Sequence, residues 1–571
     1  MLSCLKRLKI LTTAYMTITT ISALEQLKHQ LSAYFEKVQQ HLGFTHTVIF
    51  MSYGARTQRC QVWNSTLTSF QQAKSQLFAF LEQQWHEQGQ LDEFLKFDIA
   101  YHIRQENWQE IVQQITSQFH NNHYRKGLSF DEHFHICFLE QELYGKAIIR
   151  GLSYDTPNFV DQDNLNHGIR TKYPGQPVKI HLNELRQVWS FDSHAVFYEN
   201  GQLLPLQSRF TGHGVRYLTG SKKQHVRQLI EANSQFLQQQ IQPDGRFVYG
   251  FFPAYDREIR SYNTVRHCTS TYALIETLAV HYQAARVEKI RQAIEYALKH
   301  FYIERQTGLA YMLDGTDPGQ LHEIKLGANA AAILMLSKYQ EITADDQYLG
   351  YAQALANGIL SMVNEAGETV HVLHYPDYSL KQQFRIIYYD GEAALALLRL
   401  YQLQPDEKLL ATVKRMFERF IEQKYDRYHD HWLSYCCNEL TKICPEERYF
   451  QFGINNYRRH LVFIRNRKTA YATLLEMMMA AYQMLCRMRD LGMDELFAKA
   501  QFEDLKKLIE FRSEFQRSGF FYPEVAMYMA HPEKCLNAFY VRHDRFRVRI
   551  DDQEHNLSGY VAYLQHFDQN A

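Results

Sequence analysis

The sequence predicts an α/α toroid, a ring of five or six helical hairpins, behind an N-terminal α+β domain. Three observations carry this. Four helices apolar on every side recur after residue 220. They are "STYALIETLAVHY", "GANAAAILMLSKY", "YDGEAALALLRLY" and "AYATLLEMMMAAY", closing on Tyr282, Tyr339, Tyr401 and Tyr482 at spacings of 57, 62 and 81 residues. Each is followed by an amphipathic helix, such as "ARVEKIRQAIEYALKHF" or "DEKLLATVKRMFERFIEQ". Each amphipathic helix leads into a short extended stretch at a Gly or Asp turn: "PDGRFVYGF", "TGLAYML", "AGETVHVL", "YHDHWLSY", "SGFFYPE".

An amphipathic helix has one wet face and belongs outside, whereas a helix apolar all round must be covered on every side. Alternating the two gives an inner ring of helices wrapped by an outer one, and closing the ring hides the last exposed face. "KQHVRQLIEANSQFLQQQI" opens this domain and "HNLSGYVAYLQHF" ends it, so the toroid takes residues 221–571. Residues 1–220 read as the α+β domain and its connecting segment. Strand-like "HTVIFMSY" and "FLKFDIAYHI" alternate with helical "SFQQAKSQLFAFLEQQ" and "NWQEIVQQITSQF". The Gly-, Pro- and Asn-richer stretch 151–220 is expected to connect and cap, with "FLEQELYGKAIIRG" docking onto the ring.

Bulk properties exclude several functions. Lys plus Arg and Asp plus Glu are each 62, and no basic run is interleaved with aromatics, so no nucleic-acid partner is expected. No phosphate-binding glycine loop stands in the first domain. Nine cysteines show neither a disulfide framework nor zinc spacing, as in a reducing compartment. The threonine-rich start imitates a signal peptide only weakly, and Met16 would serve as a start. A cytoplasmic protein without a membrane span is expected.

The alternation of inner and outer helices joined by DG-type turns resembles the six-hairpin (α/α)-toroid superfamily of carbohydrate-active proteins. That group includes glycoside hydrolases, alginate-type lyases and sugar epimerases. The resemblance covers about 350 residues and matches no single member. It implies a saccharide substrate or ligand and no cofactor. The aspartate-rich or Cys/His metal sets of the cyclase toroids are missing from the sequence.

In such a ring the inner helices start around one mouth, and four of them turn polar there. The first brings Tyr262, Asn263, Arg266 and His267; the second His322, Glu323, Lys325 and Asn329. The third brings Arg385, Tyr388, Tyr389, Asp390 and Glu392; the fourth Arg465, Arg467 and Tyr471. Tyr262, His267, Asp390 and Glu392 are the candidate catalytic groups. Asn263, Arg266, Lys325, Asn329, Arg385 and Arg467, with Tyr255, Tyr388 and Trp432 to stack on sugar rings, are the candidate binding groups. Helix N-termini and arginines favour an anion. No metal is expected, because the pairs His429/His431 and His133/His135 have no third ligand in spacing.

Three functions fit this inventory. One is β-elimination or epimerisation of a uronic-acid unit in envelope or capsule polysaccharide metabolism, with Tyr or His removing a proton. The second is glycoside hydrolysis, pairing Asp390 or Glu392 with Asp256, Glu323 or Glu439. The third is a non-catalytic toroid that binds a glycan or a partner, with the N-terminal domain contributing a protein contact. Asp551 and Asp552 read as a cap before the last helix.

Overall fold

The computed structural model describes residues 23–117, 124–153, 156–208, 212–315 and 323–568. Met16 and His322 lie outside these.

The first region is built on a seven-stranded antiparallel sheet. Its order is Gln61–Asn64, Ile49–Gly54, Phe94–Asn107, Gln187–Glu199, Gly127–Ser129, Cys137–Phe138, with Gln202–Pro205 added to Gln187–Glu199. The strand Phe94–Asn107 shows how the sheet is covered. Its first seven residues are all buried and the remainder are mostly exposed or half-buried. Leu95, Phe97 and Ile99 pack with Leu27, Leu31 and Phe35 of a helix over 23–42 and with Leu77 and Leu81 of Phe70–Gln88. Phe94 and Ala100 point the other way, into a core continuous with that of the helical region. On that face Lys96 and Asp98 form an ion pair of 2.5 Å with no exposure, and Lys96 Nζ lies 3.3 Å from Tyr528 Oη. The sheet region is therefore fastened to the ring by a buried polar contact as well as by apolar packing. The short helix Glu140–Gly145 docks there too: Gly145 sits against the Tyr528 backbone so closely that a Cβ would clash, and Glu140 pairs with Arg542.

One expectation fails here. The stretch 151–220 holds the long central strand Gln187–Glu199 instead of a mere connector. Its turn is Asn200-Gly201, both at positive φ (52° and 79°), the hairpin chemistry that matches strand twist.

Twelve longer helices among the described residues follow, numbered α1–α12. They are α1 (Lys222–Gln239), α2 (Thr264–Thr277), α3 (Ala284–His300), α4 (Leu326–Thr343), α5 (Leu349–Ser361) and α6 (Tyr388–Leu403), then α7 (Glu407–Glu422), α8 (His431–Ile443), α9 (Glu447–Arg458), α10 (Thr473–Asp490), α11 (Phe502–Phe515) and α12 (Ile550–His566). The even-numbered helices make a closed cycle of contacts: α2 on α4, α4 on α6, α6 on α8, α8 on α10, α10 on α12, and α12 back on α2. The odd-numbered helices pack outside them. Sequence explains the sorting. α4 is buried without a break from Leu326 to Tyr339, while α7 buries only the stripe of Leu409, Leu410, Val413, Met416, Phe417 and Phe420. Glycines of the recurrent turns let the outer layer close. Gly245 (φ 93°) and Gly367 (φ 74°) lie against the backbone of Gln292 and Arg415, where a Cβ would overlap.

Two further corrections concern this region. "YHDHWLSY" is not extended. It runs into α8, because Asp430 accepts hydrogen bonds from the backbone N–H groups of Trp432 and Leu433 (3.3 and 3.2 Å) and starts a helix there. Asp551 and Asp552 belong to the first turn of α12 and do not precede it.

Candidate functional site

A cavity of about 530 Å³ opens at the starts of α2, α6, α8, α10 and α12, roofed by residues of the 519–547 segment. Its size suits a small-molecule ligand. Asn263 caps α2 by accepting from the Arg266 N–H at 3.1 Å, which brings Arg266 to the rim. Arg266 does not face the cavity as a free cation. Its Nε donates to Asp551 Oδ2 at 2.8 Å and one terminal nitrogen donates to Tyr249 Oη at 2.8 Å. Arg549 also pairs with Asp551, and Arg547 with Asp552 and Asp544. Burial alone would raise the Asp551 carboxyl, but Arg549 and Arg266 outweigh it and hold it below the usual range.

A cluster of titratable side chains at the cavity comes from α6, α8, α10 and α12. The rings of His431 and His555 meet edge to face with centroids 5.3 Å apart. His431 is the first residue of α8. Its Nδ1 lies 3.2 Å from Asp430 Oδ1, and its buried Nε2 has no hydrogen-bond partner. His555 donates from Nδ1 to Glu476 Oε2 at 2.9 Å, with Glu554 Oε1 at 3.2 Å. Burial opposes a charge on His555, yet Glu554 and Glu476 prevail and push its pKa up to about 10, while burial beside Glu476 and Asp551 lifts Glu554 itself well above the usual carboxyl range. Glu392 shows the opposite effect. Burial, with Asp430 nearby, lifts it to about 8, so it is a neutral acid at pH 7 with one oxygen unpartnered. Gly327 of α4 makes room for it, since a Cβ there would strike Glu392 Oε2 and the Tyr389 ring. Trp432, Tyr388, Tyr389, Tyr471 and Tyr540 give the walls aromatic faces.

His431, Glu476 and His555 each offer a donor atom within 4.8 Å of the others, a nitrogen-and-oxygen set that zinc-type ions accept. The Glu476 hydrogen bond to Nδ1 gives that carboxylate another task, fixing the tautomer and orientation of the His555 ring.

Of the residues expected at the mouth, Asn263, Arg266, Tyr388, Tyr389, Glu392, Trp432 and Tyr471 line the cavity. Others do not. Tyr262 and His267 turn away from it. Tyr262 Oη lies 2.7 Å from His267 Nδ1 and accepts from Phe247 N–H, while His267 Nε2 donates to Ala293 O of α3 at 2.8 Å. His267 has no exposure, and burial lowers its pKa to about 4. Asp390 accepts from Thr369 Oγ1 and lies 3.3 Å from His371, holding the β-turn layer. Asn329 is fully buried and bonds Met312 N–H and Lys325 O. Lys325 pairs with Asp314 and Glu323, and Arg385 with Glu323, so neither is a free cation. Tyr255 is outside the lining, and Arg467 lines a second cavity. The partners considered for a carboxylate pair are also dispersed: Asp256 pairs with Lys534, Glu323 with Arg385, and Glu439 with Arg399.

Sequence reasoning missed His431 as a mouth residue, and missed His555 and Glu476 altogether. The sequence places "YHDHWLSY" in an extended stretch and starts the last helix at His555, five residues after Ile550. The signal for α8 was the Asp430 cap before "HWLSYCCNELTKI".

No family model and no curated protein sequence matches the chain. Solved structures similar to it include a cellobiose 2-epimerase from Bacillus thermoamylovorans (14% identity, 60% of this chain, 98% of that chain, TM-score 0.45). A D-mannose isomerase gives 13% identity, 60% and 99% coverage and TM-score 0.45. An α-1,6-mannanase of Salegentibacter sp. HEL1_6 gives 11%, 59%, 99% and 0.30. No helix among the described residues is long and apolar enough to cross a membrane.

Proposed function

We propose that the helix ring is an (α/α) toroid and that the chain is a carbohydrate-active enzyme that moves a proton on a saccharide, by epimerisation or aldose–ketose isomerisation. One observation carries this reading: two imidazoles meet at the cavity wall with unlike partners. His555, held as imidazolium by Glu476 and Glu554, is the acid. His431, with an unpartnered buried Nε2, is the base. A C–H beside a sugar carbonyl loses its proton to His431 Nε2. The resulting enediolate is reprotonated at carbon by His555; when the new C–H forms at the neighbouring carbon, the hydroxyl proton there passes to the former carbonyl oxygen, and exchange with water returns both imidazoles to their starting states. Glu392, neutral at pH 7, donates a hydrogen bond to the carbonyl oxygen as charge develops on it. Trp432 and the cavity tyrosines stack on the ring of a neighbouring unit.

The arginines at this mouth are matched by Asp544, Asp551 and Asp552, which favours a neutral sugar over the uronic acid expected from sequence. The described cysteines are free thiols, in keeping with action in a reducing, cytoplasmic compartment. Incubating the protein with neutral and uronic reducing oligosaccharides in D2O tests the reading. Deuterium should enter at the carbon next to the carbonyl, and dialysis against a chelator should leave the rate unchanged. New reducing ends without deuterium would mean hydrolysis, an unsaturated-sugar absorbance would mean elimination, and loss on chelation would make the His–Glu–His trio a metal site.

A further inference from the structure

A second cavity, about 570 Å³, lies between the sheet region and the ring. Its electrostatics differ from those of the mouth. One wall is the stretch 465–468 before α10, which sends Arg465, Arg467 and Lys468 into it. None of the three has an acidic partner among the described residues. Arg467 donates only to Thr469 Oγ1, at 2.7 Å, and stacks on Phe463 and Tyr471. Arg465 and Lys468 are exposed. Facing them, Arg125 is held by Glu140 at 3.1 Å and Lys126 lies 3.4 Å from Glu106. Asp192, 3.2 Å from His102, is the acidic group in the lining.

Two buried polar atoms at the floor point to a ligand. Tyr124 Oη and His213 Nδ1 belong to side chains 4% and 7% exposed, and neither atom has a hydrogen-bond partner. Leaving such groups unmade costs about 1–3 kcal/mol each, so a protein keeps them where something else completes them. Phe511 and Phe515 give the remaining wall an apolar face.

We propose that this interdomain cavity binds a phosphate-bearing ligand of nucleotide size. The phosphate would sit on Arg465, Arg467 and Lys468, with donors from Tyr124 and His213, and its remaining portion would lie against Phe511 and Phe515. Guanidinium forks suit phosphate oxygens, and the volume falls in the range of small-molecule sites. The proposal is independent of the chemistry assigned to the mouth.

Calorimetric titration of the full chain with inorganic pyrophosphate and with uridine diphosphate tests it. Saturable binding is expected, weakened roughly tenfold or more by the exposed double substitution Arg465→Gln/Lys468→Gln and by added salt. Tyr124→Phe should weaken it by about threefold to tenfold, the size of one hydrogen bond. His431→Asn, at the mouth, should leave it unchanged. Tighter binding of the nucleotide than of pyrophosphate would show that the phenylalanine wall is used, and equal binding would show that phosphate alone is held. Absence of saturable binding at millimolar probe, indifference to the double substitution, or loss through His431→Asn would each overturn the proposal.

Discussion

Two inner helices, α2 and α8, each begin with a histidine in the first turn or so, and the two histidines have opposite fates. His267, one turn into α2, faces outward to α3. Both its nitrogens are satisfied, by Tyr262 and by Ala293 O, and it is sealed from solvent. His431, at the first position of α8, faces inward, with a bare Nε2 opposite His555. Residue type and distance from the mouth are similar. What differs is the side of the helix, and a few positions along a helix rotate a side chain from core packing to cavity. The pair teaches that a polar helix start marks a site only when its side chains are left without protein partners.

The largest expected effect comes from the inward side. His431→Asn or His555→Asn should lower the deuterium-exchange rate by about 10²–10⁴-fold, the usual contribution of a general acid or base, His431→Asn with an unchanged melting temperature. His267→Phe should do the reverse. It strands Ala293 O and Tyr262 Oη, costs about 1–3 kcal/mol in denaturant melts, and leaves kcat/KM of the folded protein within about threefold. If His267→Phe removed activity while His431→Asn did not, the contrast between the two helices would collapse.

Glu476→Gln sharpens the comparison further. Glu476 acts through His555, so its loss should cost roughly tenfold in rate. More diagnostically, the alkaline limb of the pH profile should move down from about pH 10 toward the ordinary imidazole range, because one of the carboxylates that raises His555 is gone. A structural role alone would not shift that limb.

Glu392 also ties stability to pH. Glu392 is raised in the folded state to about 8, so the native protein binds a proton that the unfolded chain has released above its own carboxyl pKa. The contribution of Glu392 to stability should therefore decline as pH rises from about 4.5 to 8 and level off beyond. Glu392→Gln should flatten that slope, making the variant relatively more stable at pH 9 than at pH 5. Denaturant midpoints across this range read it directly.

Much of the architecture was legible. Helices buried all round, such as Leu326–Tyr339, cannot sit on a surface, and one-stripe helices such as Glu407–Glu422 cannot sit inside, so the layering follows from hydrophobic pattern. The places that misled have physical causes. α8 is short and carries Tyr, Cys and Asn in place of a clean apolar run, and its only strong start signal is the Asp430 cap. The strand Gln187–Glu199 alternates Trp, Phe and Val with polar residues, and its Asn-Gly turn marks a hairpin, but it lies in a stretch whose Gly and Pro content matches that of a connector.

The sequence by itself determined that apolar rods alternate with half-wet ones and that their starts carry Tyr, Arg, His and acids. Only the tertiary structure decided which of those groups meet. Glu476 and His555 stand 79 positions apart and touch because α10 and α12 are ring neighbours. Arg266 and Asp551 are 285 apart and cancel because the ring closes α12 onto α2. Periodicity is written locally along the chain, whereas partnership, and with it protonation and reactivity, depends on contacts between helices that no local pattern encodes.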